Sequence, residues 1–183
     1  MRKQPSLFTL PNLMSLFRIL LIPVIVRLYC QEKAYGWTAL VLILSGVTDI
    51  ADGIIARKWN LVSDLGKALD PIADKLTQIA AMWCLLSRFS YFWFPLGLLL
   101  FKEVFTGIMS LYAVKKSGVV QSADWHGKVC TVLLYGTIGI HILWGNIPIW
   151  LSKTMMGLCM FMMCFSGLLY WYRNFKQIKG YVA

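Results

Sequence analysis

The chain has 183 residues, of which 58% are hydrophobic, and its formal net charge is +10. Its mean hydropathy is +0.65. A soluble domain is nearer half apolar, so this composition indicates an integral membrane protein, with a single domain over residues 1–183. In a membrane chain, a basic rim facing anionic lipid explains the positive charge better than nucleic-acid binding. The five cysteines are scattered and lack a C-x-x-C pair, so we interpret them as packing residues rather than disulfides or metal ligands.

The pattern of apolar runs predicts an all-α fold with six transmembrane helices and a short N-terminal interfacial segment. Residues 1–10 form that basic, partly apolar segment, and Pro11-Asn12 is typical of a helix start. A span needs roughly 20 predominantly apolar residues. The predicted spans cover residues 13–29, 35–55, 69–86, 94–114, 127–144 and 149–171. Pro23 predicts a kink in the first of them.

The distribution of basic residues predicts the orientation of these spans. Six spans place both termini on one side of the membrane. Lysine and arginine are concentrated in the N-terminus, the loops near residues 57–67 and 115–128, and the tail after residue 172. Because basic loops remain on the cytoplasmic side, both termini and these loops are predicted to be cytoplasmic.

Four aspartates beside long apolar runs are the most informative feature of the chain. Asp49 and Asp52 are three residues apart, and Asp70 and Asp74 are four apart, so each pair shares one face of a helix. Carboxylates beside hydrocarbon are usually paired, metal-bound or catalytic. Bare carboxylates that converge would repel one another, and a divalent cation removes that conflict. Hard oxygen ligands suit Mg²⁺ or Mn²⁺, so the spacing predicts a metal site that binds phosphate.

The stretch from Asp49 to Asp74 resembles the signature of the CDP-alcohol phosphatidyltransferases. That signature reads D-x-x-D-G-x-x-A-R, then eight residues, then G-x-x-x-D-x-x-x-D. All eight fixed positions are present, as Asp49, Asp52, Gly53, Ala56, Arg57, Gly66, Asp70 and Asp74. The resemblance implies a metal-dependent phospholipid synthase. An acceptor hydroxyl would attack the lipid-side phosphate of CDP-diacylglycerol, and CMP would leave.

The resemblance also implies roles for individual residues. The metal ligands would be Asp49, Asp52 and Asp70, with Asp74 as the general base and a further metal ligand. Two Mg²⁺ or Mn²⁺ ions would fit a two-metal clamp. The positions that would contact the CDP moiety are Gly53, Ala56, Arg57 and Gly66. Helix packing through small residues is the alternative for the two glycines and Ala56. The family's usual form implies a homodimer.

Two basic residues are candidates for the acceptor side of the site. Arg18 lies inside the first predicted span, where an arginine either snorkels to the interface or faces a polar site. Together with Pro11-Asn12 it resembles the opening pattern of the family, which favours the site. Gly127-Lys128 with Thr131 resembles the start of the family's fifth helix. Lys128 would then bind acceptor phosphate, although a plain positive-inside lysine remains an alternative.

Other polar residues in apolar surroundings carry less specific expectations. Lys102 and Glu103 lie near the middle of the fourth predicted span, where an ion pair and a role near the acceptor both remain open. His126 is expected to form interfacial hydrogen bonds. His141 is expected to be packed and bonded rather than catalytic.

The acceptor is predicted from weaker features than the family. The Pro-Asn opening, the ending of the signature and the Gly-Lys-x-x-Thr segment look most like phosphatidylglycerophosphate synthases, whose acceptor is glycerol 3-phosphate. Those synthases usually carry an arginine after a Gly-Leu pair of the fourth helix, but Met109 follows Gly107-Ile108 here. The alternative is a cardiolipin synthase that uses phosphatidylglycerol. A non-enzymatic cation carrier would place its carboxylates near mid-bilayer rather than at span ends. A CDP-lipid substrate suggests a bacterial plasma membrane, with a cytoplasmic active site.

Overall fold

A computed structural model describes residues 10–58, 64–118 and 124–180. Within these ranges the regular structure is helical and contains no strand, which confirms the all-α prediction. The α-helices are α1 (Leu10–Val26), α2 (Tyr35–Lys58), α3 (Asp64–Leu86), α4 (Trp93–Ser117), α5 (Trp125–Leu143) and α6 (Ile149–Lys179). The predicted interfacial segment falls almost entirely outside the described residues.

The described residues form two compact units, one that ends at residue 89 and one that begins at residue 90. In the first unit α1 packs against both α2 and α3. The shared core includes Ile25, Ala73 and Leu85, each fully buried. Because α1 contacts both partners, its inward face carries side chains that reach α2 and α3 together. The assignment of residues 1–183 to one membrane domain remains a prediction.

The end of α1 departs from regular α-helical geometry. Pro23 lies inside α1, where it has no backbone N–H to donate to the preceding turn. The helix continues through this proline and becomes π-helical over Arg27–Gln31. Tyr29 is buried in this segment and meets the Tyr35 ring edge-on, with ring centroids 5.1 Å apart. The irregular geometry therefore lies one turn beyond the position of the predicted kink.

In the second unit α6 packs against both α4 and α5. At the start of α5, His126 Nδ1 lies 3.0 Å from Ser166 Oγ, and His126 Nε2 lies 3.2 Å from Asp124 Oδ2. Asp124 also accepts a hydrogen bond from Arg173. The Tyr170 ring stands edge-on to His126, with centroids 4.6 Å apart. These contacts confirm His126 as a hydrogen-bonding residue and attach the start of α5 to α6.

A second polar group joins α5 to α6 nearer the other end of α5. His141 is fully buried, and its Nδ1 donates to the Thr137 carbonyl over 2.7 Å. Its Nε2 lies 2.7 Å from Ser152 Oγ, which in turn lies 2.9 Å from the Tyr91 hydroxyl. His141 is thus packed and bonded, as predicted.

The charged pair in α4 also has a clear arrangement. Lys102 Nζ donates to Glu103 Oε1 over 2.6 Å, and the side chains are only 10% and 20% exposed. The predicted ion pair is therefore confirmed. A role for this pair near the acceptor remains a prediction.

Four segments of the described chain are long and apolar enough to cross a membrane: residues 12–31, 90–117, 125–143 and 149–179. Large apolar side chains on these segments face outward, including Phe94 at 78% exposure and Val132 at 71%. The protein is therefore an integral membrane protein. Over the described residues, α2 and α3, which carry the signature aspartates, do not combine the length and mean hydropathy that a membrane span requires. Six spans consequently remain a prediction.

Candidate metal centre

Three of the signature aspartates converge in the first unit. One carboxylate oxygen from each of Asp49, Asp52 and Asp70 lies within 4.8 Å of the others. Asp49 and Asp52 come from α2, and Asp70 comes from α3. The Asp52 side chain is 3% exposed, whereas those of Asp49 and Asp70 are 43% and 44% exposed. Asp52 therefore lies at the buried end of the cluster, and Asp49 and Asp70 form an end that is partly open to solvent.

Arg18 of α1 holds these carboxylates together. Its Nη1 donates to Asp49, and its Nη2 donates to Asp70 and, over 2.8 Å, to Asp52. Ser15 Oγ lies 3.4 Å from Nη2, one helical turn earlier on α1. The Arg18 side chain is only 2% exposed. A charge buried to this extent needs counter-charges, and the planar guanidinium fork can serve several carboxylates at once.

Asp74 lies one turn beyond Asp70 on α3 and is not a member of the three-carboxylate cluster. Its Oδ2 accepts a hydrogen bond from Gln78 Nε2 over 2.9 Å and lies 3.8 Å from Lys75 Nζ. The Asp74 side chain is 26% exposed. The structure therefore brings three of the four predicted metal ligands together and places the fourth beside them in sequence, with neighbours of its own.

The donor set of the cluster suits a hard divalent cation. Mg²⁺ binds oxygen at about 2.0–2.1 Å, so two oxygens on opposite sides of one ion are roughly 4.2 Å apart. The oxygens of Asp49, Asp52 and Asp70 already lie within 4.8 Å of one another. Three carboxylates share one guanidinium, so the cluster also carries an excess of negative charge. The cluster can therefore hold a metal ion.

The remaining predicted site residues are placed only in part. Gly53, Ala56 and Arg57 belong to α2, and Gly66 belongs to α3, but their surroundings and side chains lie outside what the structure describes. Lys128 is an exposed residue in the first turn of α5. Their predicted roles toward CDP and the acceptor remain predictions.

Two residues at the site were not predicted from the sequence. Ser15 is buried and approaches both Arg18 and Asp70, the latter with 3.5 Å between Oγ and Oδ1. Gln78 is buried and donates to Asp74. Their spacing was the available signal, because Ser15 is three residues before Arg18 and Gln78 is four residues after Asp74, so each pair shares a helix face.

Comparison with known proteins agrees with this arrangement of residues. The model of the CDP-alcohol phosphatidyltransferase family matches residues 8–172. The chain therefore belongs to the CDP-alcohol phosphatidyltransferase family, and it is an enzyme of that class. This membership favours the phospholipid synthase over the cation carrier.

Individual relatives narrow the comparison further. A CDP-diacylglycerol–glycerol-3-phosphate 3-phosphatidyltransferase of Rickettsia typhi is 32% identical over 94% of this chain and 98% of its own length. A protein of the same name from Rickettsia felis is 33% identical over 94% of this chain and 96% of its own length. A putative cardiolipin synthase of Mycobacterium tuberculosis is 38% identical, but over only 59% of this chain and 52% of its own length.

Proposed function

We propose that this protein transfers a phosphatidyl group from CDP-diacylglycerol to glycerol 3-phosphate, which gives phosphatidylglycerophosphate and CMP. The observation that carries the proposal is the convergence of Asp49, Asp52 and Asp70 at a partly open site. The rickettsial relatives match almost the whole chain, and their names support glycerol 3-phosphate as the acceptor.

The reaction is a single displacement at phosphorus. The acceptor hydroxyl oxygen forms a bond to the phosphorus that carries diacylglycerol. The bond from that phosphorus to the bridging pyrophosphate oxygen breaks, and this oxygen leaves with CMP. Bound Mg²⁺ or Mn²⁺, as two ions, would supply charge neutralisation at the pyrophosphate. Asp49, Asp52 and Asp70 would hold these ions, with Asp74 beside them as a further ligand.

Asp74 is proposed to take the proton from the acceptor hydroxyl. A base must come within hydrogen-bond reach of that hydroxyl in the reactive complex. Gln78 and Lys75 both approach Asp74 Oδ2, so these neighbours fix the orientation of the carboxylate. Because the carboxylate is partly exposed, an acceptor hydroxyl could approach it.

Other side chains are proposed to bind the two substrates. Gly53, Ala56 and Gly66 would leave room for the nucleotide, and Arg57 would bond phosphate with its guanidinium fork. Arg18 and Lys128 would face the acceptor. An acceptor that carries its own phosphate gains most from such cations.

A cardiolipin synthase that uses phosphatidylglycerol is the second candidate. Two observations favour it: the mycobacterial relative is named a putative cardiolipin synthase, and Met109 stands where the synthases described above usually have an arginine. The shorter matched segment of that relative makes this the weaker candidate.

The test is an acceptor panel on the purified full-length protein. CDP-diacylglycerol and Mg²⁺ or Mn²⁺ would be supplied with glycerol 3-phosphate, phosphatidylglycerol, inositol phosphate or serine, each alone. We expect CMP release and phosphatidylglycerophosphate only with glycerol 3-phosphate, and no release after chelation. Cardiolipin formed from phosphatidylglycerol would establish the second candidate. Release with neither acceptor would refute both.

The proposed setting is a bacterial plasma membrane that the chain crosses six times. Both termini and the aspartates would face the cytoplasm, where the water-soluble acceptor is available. The protein would act as a homodimer, which native mass spectrometry in detergent would detect.

A further inference from the structure

Arg18 engages the oxygens that make the carboxylate cluster a candidate metal site. Its two terminal nitrogens contact Asp49 Oδ1, Asp52 Oδ2 and Asp70 Oδ1. These are its acidic partners among the described residues, and all three belong to the group that could hold a metal ion. The guanidinium and a divalent cation would therefore draw on the same electron pairs.

The burial of Arg18 limits how both cations could be present together. The Arg18 side chain is 2% exposed, so water screens its charge very little. A divalent cation on the same carboxylates would lie within a few ångströms of the guanidinium and repel it strongly. Arg18 Nε is also buried and has no hydrogen-bond partner among the residues that the structure describes. Its position thus depends on the carboxylates at the end of its side chain.

We propose, on the basis of the function proposed above, that Arg18 is a resident counter-ion of the metal site. In the metal-free protein it holds Asp49, Asp52 and Asp70 together. Divalent cations displace it when they bind, and the cations and Arg18 compete for these carboxylates. The displaced guanidinium then becomes available to a substrate phosphate, in keeping with its proposed place on the acceptor side.

The opposite role makes the opposite prediction. If Arg18 instead remained in place and oriented the carboxylates for the metal, its removal would weaken metal binding. If Arg18 competes, its removal strengthens metal binding, because the site then keeps its full negative charge. The sign of the change in metal affinity therefore separates the two roles.

The experiment measures Mn²⁺ binding to the full-length protein in detergent, without lipid substrate or acceptor. We expect Arg18→Ala to bind Mn²⁺ about ten-fold more tightly than the wild type, because a buried positive charge beside the site has been removed. Arg27→Ala is the matched control, since Arg27 follows α1 but is 71% exposed and pairs with Glu32. It should bind Mn²⁺ as the wild type does. Unchanged or weaker binding by Arg18→Ala would overturn the proposal.

Thermal unfolding provides a second measurement, which can be made even if Arg18→Ala folds poorly without metal. Arg18→Ala would be purified with Mn²⁺ present, and the ion would then be chelated. We expect chelation to lower the Tm of Arg18→Ala far more than that of the wild type, because no resident cation remains to hold the carboxylates. Arg18→Lys keeps the positive charge but loses the planar guanidinium. Its decrease in Tm on chelation should lie between those of Arg18→Ala and the wild type. Equal Tm changes in all three proteins would contradict the competition.

These measurements are independent of the acceptor. If the acceptor panel fails but Mn²⁺ binds Arg18→Ala more tightly, the proposed function is wrong and the counter-ion role stands. If glycerol 3-phosphate is used but the Mn²⁺ affinity of Arg18→Ala does not rise, only the counter-ion role is wrong.

Discussion

Neighbouring aspartates on α3 have different surroundings, although they are one helical turn apart. Asp70 shares Arg18 with two other carboxylates, whereas Asp74 accepts a hydrogen bond from Gln78. A carboxylate that holds a cation and one that accepts a proton need such different surroundings. The division of labour proposed for this pair therefore has a basis in the contacts of each residue.

Asp74→Asn tests that division at a single residue. We expect turnover to fall about 10²- to 10⁴-fold, the usual contribution of a general base. Binding of CDP-diacylglycerol should change little. Mn²⁺ binding should weaken only modestly, because Asp49, Asp52 and Asp70 remain as three of the four proposed ligands. Initial rates of CMP release and a separate Mn²⁺ titration would measure the two effects.

The matched control is Glu32→Gln, which neutralises a carboxylate whose partner is the exposed Arg27. It should leave turnover unchanged. Normal turnover by Asp74→Asn would remove Asp74 as the base. A large loss of Mn²⁺ affinity would instead make Asp74 primarily a metal ligand.

The spacing of the aspartates was sufficient to predict part of the site. Intervals of three and four residues placed each pair on one helix face, and the cost of charge beside hydrocarbon predicted a cation among them. The sequence also placed Arg18 near a polar site, but it did not identify the Arg18 carboxylate partners. Those contacts join residues 31 to 52 positions apart, so they depend on how α1 packs between α2 and α3.

The attachment of α5 to α6 depends on a close approach between Gly127 and Tyr170. A Cβ added at Gly127 would lie 2.4 Å from the Tyr170 hydroxyl oxygen, which is too close for any real contact. Tyr170 has little freedom to move away, because its ring packs edge-on against His126 and its hydroxyl accepts the Asp124 N–H over 3.3 Å. Gly127, which belongs to the segment that resembles the start of the family's fifth helix, therefore also has a packing role in this fold.

Gly127→Ala should destabilise the second unit. We expect a loss of about 1–3 kcal/mol, the usual range for overpacking, measured as a lower Tm in detergent. Gly136→Ala is the control, because it lies in the same helix with nothing within 4 Å of an added Cβ. It should be neutral or stabilising, since alanine favours a helix over glycine.

The double variant Gly127→Ala/Tyr170→Phe tests whether the Tyr170 hydroxyl causes the loss of stability in Gly127→Ala. Removing the hydroxyl relieves the closest contact, so the double variant should lose less stability than the two single changes predict together. Strict additivity would show that the Tyr170 hydroxyl is not what excludes a side chain at position 127.

A membrane span favours apolar residues, whereas the candidate metal centre requires carboxylates in α2 and α3. Both helices carry the aspartates that the family needs, and these acids lower the apolar character of the helices. Over the described residues, hydropathy alone therefore selects four spans, whereas apolar runs together with basic loops predict six. The two arrangements agree that α1, α4, α5 and α6 cross the membrane. They differ in the side of the membrane on which α2 ends.

Lys58 is the residue that separates the two arrangements. With six spans, α2 returns the chain to the cytoplasm at Lys58. If α2 and α3 did not cross, Lys58 would remain on the same side as Lys33. We expect a membrane-impermeant maleimide to label Lys33→Cys in intact cells, and to label Lys58→Cys only after the membrane is opened. Each change would be made in a chain whose five native cysteines are replaced.

Asn146→Cys provides the reference for that labelling experiment. Asn146 is exposed in the turn between α5 and α6, which both arrangements place on the same side as Lys33. Labelling of Lys58→Cys in intact cells to the level of Asn146→Cys would rule out the six-span arrangement. It would also move the end of α2, and with it the proposed metal centre, away from the compartment that holds a water-soluble acceptor. The position of this one residue therefore tests the orientation on which the proposed access of glycerol 3-phosphate depends.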